Sequence, residues 1–255
     1  MSSTRVVVAL VSAVVAAGGV GCGTSSSPPK AASATAASAS AATTQPSPEP
    51  DTQPCTDIGG TVDSKGICRV HTVSSDYTVH LSFPTAYPEQ QALTGYLTQR
   101  RDQFVDFVTE NPRPDFPCEL DVTEATYRSG APDTGTQSVV FTVYSDSGGA
   151  HPVTDYKAFT YDLAKQAPIT FDSLFKPGTD PVNVLDPIVR REMEKRWQGN
   201  GSPLDENILG EKVYQDFALT DDAVIFFIGQ GEWLPQAAGP NEVTIPRTEL
   251  AALLA

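Results

Sequence analysis

The chain has 255 residues, and its 31 acidic side chains against 17 lysines and arginines give a formal charge of −14. That balance excludes a nucleic-acid partner, whose phosphates demand a basic surface. It suits either plain solubility or a basic protein partner, whose encounter an acidic field would speed.

Residues 1–21 read as an export signal: Arg5 precedes an apolar run over 6–17, and small residues then lead to Cys22 in "GGVGC". The run is too short to span a bilayer, and no other segment is long and apolar enough to do so. Small residues before a cysteine suit lipoprotein processing, in which the thiol takes a diacylglyceryl group. Gly19 stands where a leucine is usual, so cleavage elsewhere in the small-residue run is the alternative. From Cys22 to residue 54 the chain is almost wholly Ser, Ala, Thr, Pro and Gln. Such a segment buries too little apolar surface to offset its ordering entropy. It reads as a tether with a reach of roughly 30 Å.

Residues 55–255 have the composition of a single globular domain. Cys55 and Cys68 flank "TDIGGTVDSKGI", a polar turn leading into a strand. In an oxidising compartment we expect them to be bridged, closing a loop worth about 3 kcal/mol. Cys118 is then a buried free thiol, since nothing around it would lower its pKa.

"YTVHLSFP" alternates as a half-buried strand, with Tyr77, Val79, Leu81 and Phe83 on one face. Over 88–110 the spacing changes to three and four through Leu93, Leu97, Arg100, Phe104, Phe107 and Val108, which predicts an amphipathic helix. "ELDVTEATYR" and "TQSVVFTVYSD" read as a hairpin around "SGAPDTG", and "VTDYKAFTYDL" as a further strand. "ITFDSLF" ends in a short helical turn. A second helix starts at Asp180, with Val182, Leu185, Ile188, Val189, Met193 and Trp197 on its apolar face. Pro187 should kink this helix or shift its start. "GNGSPLDENILGEK" is a loop. "YQDFALTDDAVIFFIG" is strand, turn, strand, with Asp221 and Asp222 in the turn. "NEVTIP" is a last strand and "RTELAALLA" a last short helix. The fold class is α+β: a largely antiparallel sheet packed with two longer helices and a short C-terminal helix.

Motifs for the usual chemistries are missing, from nucleophile elbow to zinc helix and phosphate loop. His71 and His80 fall on adjacent strands, but two nitrogens without further ligands make a poor metal site. No cofactor or metal is expected. In "SGGAHP", Gly148 and Gly149 would take backbone angles closed to other residues, with Pro152 holding 150–151 extended. His151 either pins this loop to a neighbouring backbone group or contacts a ligand. In "GQGEWLPQAAGP", Glu232 and Trp233 stand among glycines and prolines. They are binding candidates, with the alternative that Trp233 folds back to cap the sheet. A catalytic acid pair could hide among the 31 acids, because its test is a separation in space.

"CTDIGGTVDSKGICRV", "ATYRSGAPDTGTQSVVFTVYSDSGGAHPVTDYKAFTYD", "PITFDSLF" and "YQDFALTDDAVIFFIGQGEWLPQAAGP" resemble the family of secreted immunogenic antigens of mycobacteria, over nearly all of 55–255. The likeness includes the cysteine pair. The GGAHP-containing half, from about 145, is similar to the extracellular domain of RsiV-type anti-sigma factors, a module also found beside cell-wall deacetylase domains. The resemblance implies an exported α+β domain, with lysozyme sensing in the anti-sigma branch. Unlike those factors, this sequence has no membrane-spanning helix or cytoplasmic segment.

The expectation is a monomeric envelope lipoprotein, held to the membrane by its lipid alone. Its non-catalytic domain would bind a protein, such as a lysozyme-type hydrolase, or cell-wall glycan. The alternatives are an envelope hydrolase or transferase acting on wall polymers, marked by a convergent acid pair in a cleft, and a secreted antigen facing host cells.

Overall fold

The structure, a computed structural model, describes residues 52–113, 116–196 and 210–255. The expected signal, Cys22, the tether as far as residue 51, Trp197 and most of the "GNGSPLDENILGEK" loop lie outside the described residues, whereas Gln53 and Pro54, expected to end the tether, begin a short helix. Among the described residues no helix is long and apolar enough to cross a membrane.

Seven strands form the larger sheet in chain order: β1 (Thr61–Val62), β2 (Ile67–Val73), β3 (Tyr77–Pro84), β4 (Cys118–Ser129), β5 (Thr136–Asp146), β6 (Val153–Asp162) and β7 (Ala167–Pro168). A short helix α1 (Gln53–Asp57) precedes them. Every neighbouring pair is antiparallel except β3 with β4. Parallel strands cannot be joined by a tight turn, and here the crossover is helix α2 (Gln90–Glu110). Leu93, Leu97, Phe104 and Val108 recur along one face of α2 and are buried against Val79, Leu81, Phe83, Leu120, Phe141 and Val143. Phe107, expected on that face, sits in the last turn and is 51% exposed.

The expected hairpin joins β4 to β5. Gly130 takes a φ of +78°, and a Cβ at Gly135 would stand 2.0 Å from the carbonyl oxygen of Ser129. Only glycine fits that turn.

Beyond β7 come helices α3 (Phe171–Leu174) and α4 (Pro181–Arg196), then β8 (Phe217–Leu219), β9 (Ala223–Ile228), β10 (Asn241–Pro246) and helix α5 (Arg247–Leu250). The last three strands form a second antiparallel sheet in the order β10-β9-β8. One of its faces, with Ala218 and Phe227, packs on Val140 of the larger sheet. Val224, Phe226 and Ile228 on the other face meet Leu185, Val189 and Met193 of α4. The layers therefore run α2, large sheet, small sheet, α4. Each of those fully buried α4 side chains contributes about 1.5–3 kcal/mol. Pro187 lies inside α4 and does not shift its start. The start is held instead by Pro181 in the first helical position and by Asp180, whose Oδ1 accepts the Asn183 N–H at 3.3 Å.

The two sheets are also joined by polar contacts. Asp221, in the β8–β9 turn, accepts the Gly130 N–H of the β4–β5 hairpin at 2.6 Å. Cys55 and Cys68 form a disulfide that fastens α1 to β2, so closely packed that any Cβ at Gly60 would strike both sulfurs. Cys118 is a buried free cysteine, and burial pushes its thiol pKa up.

Candidate functional site

Strand β7 pairs only with the end of β6, at Tyr161 and Asp162. Over Thr154 to Ala158 the outer edge of β6 would expose unpaired backbone groups, a hazard that folded proteins cover. Two side chains cover it here. Asp216, just before β8, accepts the Ala158 N–H at 2.8 Å and pairs with Lys157 Nζ at 2.9 Å through the same oxygen. Gln230 accepts the Thr154 N–H through its Oε1 at 3.0 Å, and its own N–H donates to the Thr154 carbonyl at 2.9 Å. These contacts seat the 229–232 loop beside β6 and bring Glu232 to Asp155.

Gly229 lies between the two acids. A Cβ on it would come within 2.9 Å of Asp155 Oδ1 and 3.1 Å of the Glu232 carboxyl carbon. The Gly229 N–H donates to Glu232 Oε2 at 2.9 Å. Glu232 as a whole is exposed, but its carboxyl turns back under the loop. Partial burial raises its pKa, and the charges of Asp216 and Asp155 raise it further against the Gly229 N–H. Asp155 is raised as well, first by burial and then by Asp216, while Arg100 opposes the shift from 4.0 Å. Three carboxylates thus crowd a site with two cations, Arg100 and Lys157.

A cleft of about 420 Å³ opens over this cluster. Tyr96, Gln99, Arg100 and Gln103 line it from α2, at the three- and four-residue spacing of one helical face. Asp155, Tyr156 and Glu232 line it from the other side. Tyr96 is held by Phe141 and Phe159, with ring centroids at 6.1 and 5.9 Å, and burial pushes its phenol up to about 12. The cleft offers amide, guanidinium, carboxylate and phenol groups beside two aromatic rings, which together can donate to and accept from a polyhydroxylated ligand.

The residues singled out from the sequence fall in three places. Glu232 is in the cleft. Trp233, next to it, is 4% exposed and belongs to the core under α4, with the Arg190 guanidinium 5.7 Å from its ring and its indole N–H unpartnered. His151 is exposed and apart from the cleft, where its Nδ1 lies 3.1 Å from the Pro152 carbonyl and donates to it. Of the two glycines before it, only Gly148 takes a positive φ, +74°. Gly149 does not.

His71 and His80 face each other across β2 and β3, stacked with Nδ1 atoms 3.1 Å apart. Among the described residues no group of three metal-ligating side chains forms, and no serine hydroxyl is hydrogen-bonded to a histidine. Of the cleft and its supports, only Glu232 was singled out from the sequence; Tyr96, Gln99, Arg100, Gln103, Asp155, Tyr156, Lys157 and Asp216 were not. One signal was present: "TDYKAF" puts Asp155 and Lys157 on the β6 face that otherwise carries Phe159, where a half-buried strand should be apolar.

Comparison with known proteins gives three kinds of match. A protein family described as a protein of unknown function, DUF3298, matches residues 172–248. The chain is 44% identical over 199 residues to the esterase Rv3036c of Mycobacterium tuberculosis, covering 78% of this chain and 88% of that protein. It is 42% identical over 201 residues to the immunogenic protein MPT64 of the same species, covering 79% and 88%. A weaker match, 28% identical over 122 residues, is to the peptidoglycan-N-acetylmuramic acid deacetylase PdaC of Bacillus subtilis, with 47% of this chain and 26% of that protein covered. Among solved structures, a DUF3298 family protein from Pseudomonas aeruginosa (PA4972) superposes with a TM-score of 0.51 at 13% identity, over 74% of this chain and 94% of that one. That likeness concerns the fold alone.

Proposed function

Given that the chain belongs to the family of the mycobacterial immunogenic protein MPT64 and the esterase Rv3036c, we propose that it is an exported cell-envelope protein that binds wall glycan in the α2–β6 cleft. The observation that carries this reading is the convergence of Tyr96, Gln99, Arg100, Gln103, Asp155 and Glu232 on one open groove. Sugar hydroxyls both donate and accept, so amides and carboxylates beside an aromatic ring match them better than they match an apolar ligand. Export and lipid attachment at Cys22 rest on the sequence of residues 1–22. Cys22→Ala should move the protein from the membrane fraction to the medium, and an unchanged distribution would refute the anchor. Isothermal titration of the purified chain with soluble peptidoglycan fragments tests the ligand. Saturable binding is expected, weakened about tenfold, or about 1.4 kcal/mol, in Gln103→Ala and in Glu232→Gln. Its absence at millimolar fragment would refute the reading.

A second reading is supported by the raised proton affinity of Asp155 and Glu232. A carboxyl whose proton affinity is raised is better suited to act as a general acid than an ordinary one. Relatives carry the names esterase and deacetylase. Hydrolysis of acetylated wall glycan, abolished in Glu232→Gln while fragment binding persists, would favour this reading over binding alone.

A further inference from the structure

A second cavity, of about 290 Å³, lies apart from the cleft, where the start of β5 meets β7, α3 and α5. Ile169, Leu174, Leu219 and Leu254 give it apolar walls. Two polar atoms of its lining break this pattern: Arg247 Nε and Thr136 Oγ1 are buried and have no hydrogen-bond partner. Such orphans are rare in folded proteins, and each costs about 1–3 kcal/mol when left unpaired. The guanidinium of Arg247 also makes no ion pair among the described residues. Of the other charges in the lining, Lys165 Nζ lies 3.4 Å from Asp162 Oδ2, and Ala255 carries the terminal carboxylate. The Nε–H of Arg247 and the hydroxyl of Thr136 are therefore left without partners beside the aliphatic part of the cavity.

We propose that this cavity binds a small carboxylate with an apolar body, of the medium-chain fatty-acid class. The carboxylate sits on Arg247 and Thr136, satisfying both orphaned donors, and the chain lies against the four aliphatic walls. Arginine suits a carboxylate better than a point charge would, because its planar fork gives directed, charge-assisted hydrogen bonds. The volume is at the small end of ligand cavities, about 300–1,000 Å³, which limits the body to a chain of medium length. The proposal uses no residue of the glycan cleft and stands independently of it.

The test is isothermal titration of the purified chain with octanoate and, in parallel, with 1-octanol, which has the same body and no charge. Octanoate should bind with a Kd of about 0.1–1 mM, and octanol at least about tenfold more weakly. Arg247→Gln should bring octanoate down to the level of octanol, and Thr136→Val should weaken octanoate several-fold while leaving octanol unchanged. Circular dichroism establishes that each variant is folded. If Arg247→Gln does not fold, the Thr136→Val comparison decides. Equal binding of octanoate and octanol, no saturation by octanoate, or octanoate binding untouched by the variants would overturn the proposal.

Discussion

Asp216 is the most informative residue to perturb, because one carboxylate covers the edge of β6, neutralises Lys157 and biases two acids of the cleft. Its Oδ1 accepts from Ala158 N at 2.8 Å and from Lys157 Nζ at 2.9 Å. In Asp216→Ala the Ala158 N–H loses a charged acceptor, a bond worth about 1.5–3 kcal/mol. The ion pair is partly exposed and adds at most about 1 kcal/mol. The expected loss is therefore about 2–3 kcal/mol. Asp216→Asn keeps a carbonyl oxygen for the backbone donor and gives up only the charge, so it should cost about 1 kcal/mol. Urea unfolding followed by circular dichroism separates the two. With a slope of about 2–3 kcal/mol/M, the midpoint should fall by about 1 M in the alanine variant and about 0.4 M in the asparagine variant. An alanine midpoint within about 0.2 M of the parent would refute the edge-covering role. Equal losses in both variants would mean that the charge matters and the strand hydrogen bond does not.

The raised pKa values of Asp155 and Glu232 give a pH test. In the window above their ordinary values of 3.8 and 4.5 the folded chain holds protons that the unfolded chain has released, so these two groups subtract stability as pH rises. The double variant Asp155→Asn/Glu232→Gln should be more stable than the parent at pH 7, with the difference vanishing near the two ordinary values. A gain that is the same at both ends of the range, or a loss at neutral pH, contradicts the crowding of charge described for the cleft. The lowered acids Asp63, Asp162 and Glu192 slope the other way but are present in both proteins, so they cancel in the comparison. Replacing Cys55 and Cys68 together by alanine opens a loop of sequence separation 13. That should lower stability by about 3 kcal/mol, read as a shifted urea midpoint, and an unmoved midpoint would mean that the α1–β2 contacts hold without the bridge. Trp233→Ala should cost about 3–5 kcal/mol because the ring is core. Weakened glycan binding at unchanged stability would place Trp233 in the ligand site instead.

The elements legible in the sequence are those whose own residues carry the period. Strand β3 runs over the residues that alternation predicts, β5 and β10 run over the segments read as strands, and the α2 stripe of Leu93, Leu97, Phe104 and Val108 appears where the three-and-four spacing places it. Helix α1 was not legible: "QPCTD" has no apolar period, and Cys55, its one buried residue, is tied by the disulfide to β2. The parallel pairing of β3 with β4 was also hidden, because nothing within either strand says that α2 returns the chain in the same direction. The cleft was half visible. Glu232 stands out locally among glycines and prolines, but its partner Asp155 comes from a strand edge far back in the chain. They meet only because Asp216 and Gln230 satisfy the open backbone of β6, an arrangement set by tertiary pairing and not by any spacing. Trp233 shares Glu232's sequence context yet turns inward, since a large ring gains more from burial under α4 than from water.

The most direct test of the central claim is calorimetric titration of the purified chain with soluble peptidoglycan fragments at physiological salt, with Glu232→Gln and Gln103→Ala beside the parent. The account predicts saturable binding to the parent that survives salt and weakens about tenfold in each folded variant. Binding that is absent, or that is unchanged in both variants, would contradict the placement of a glycan site in the α2–β6 cleft.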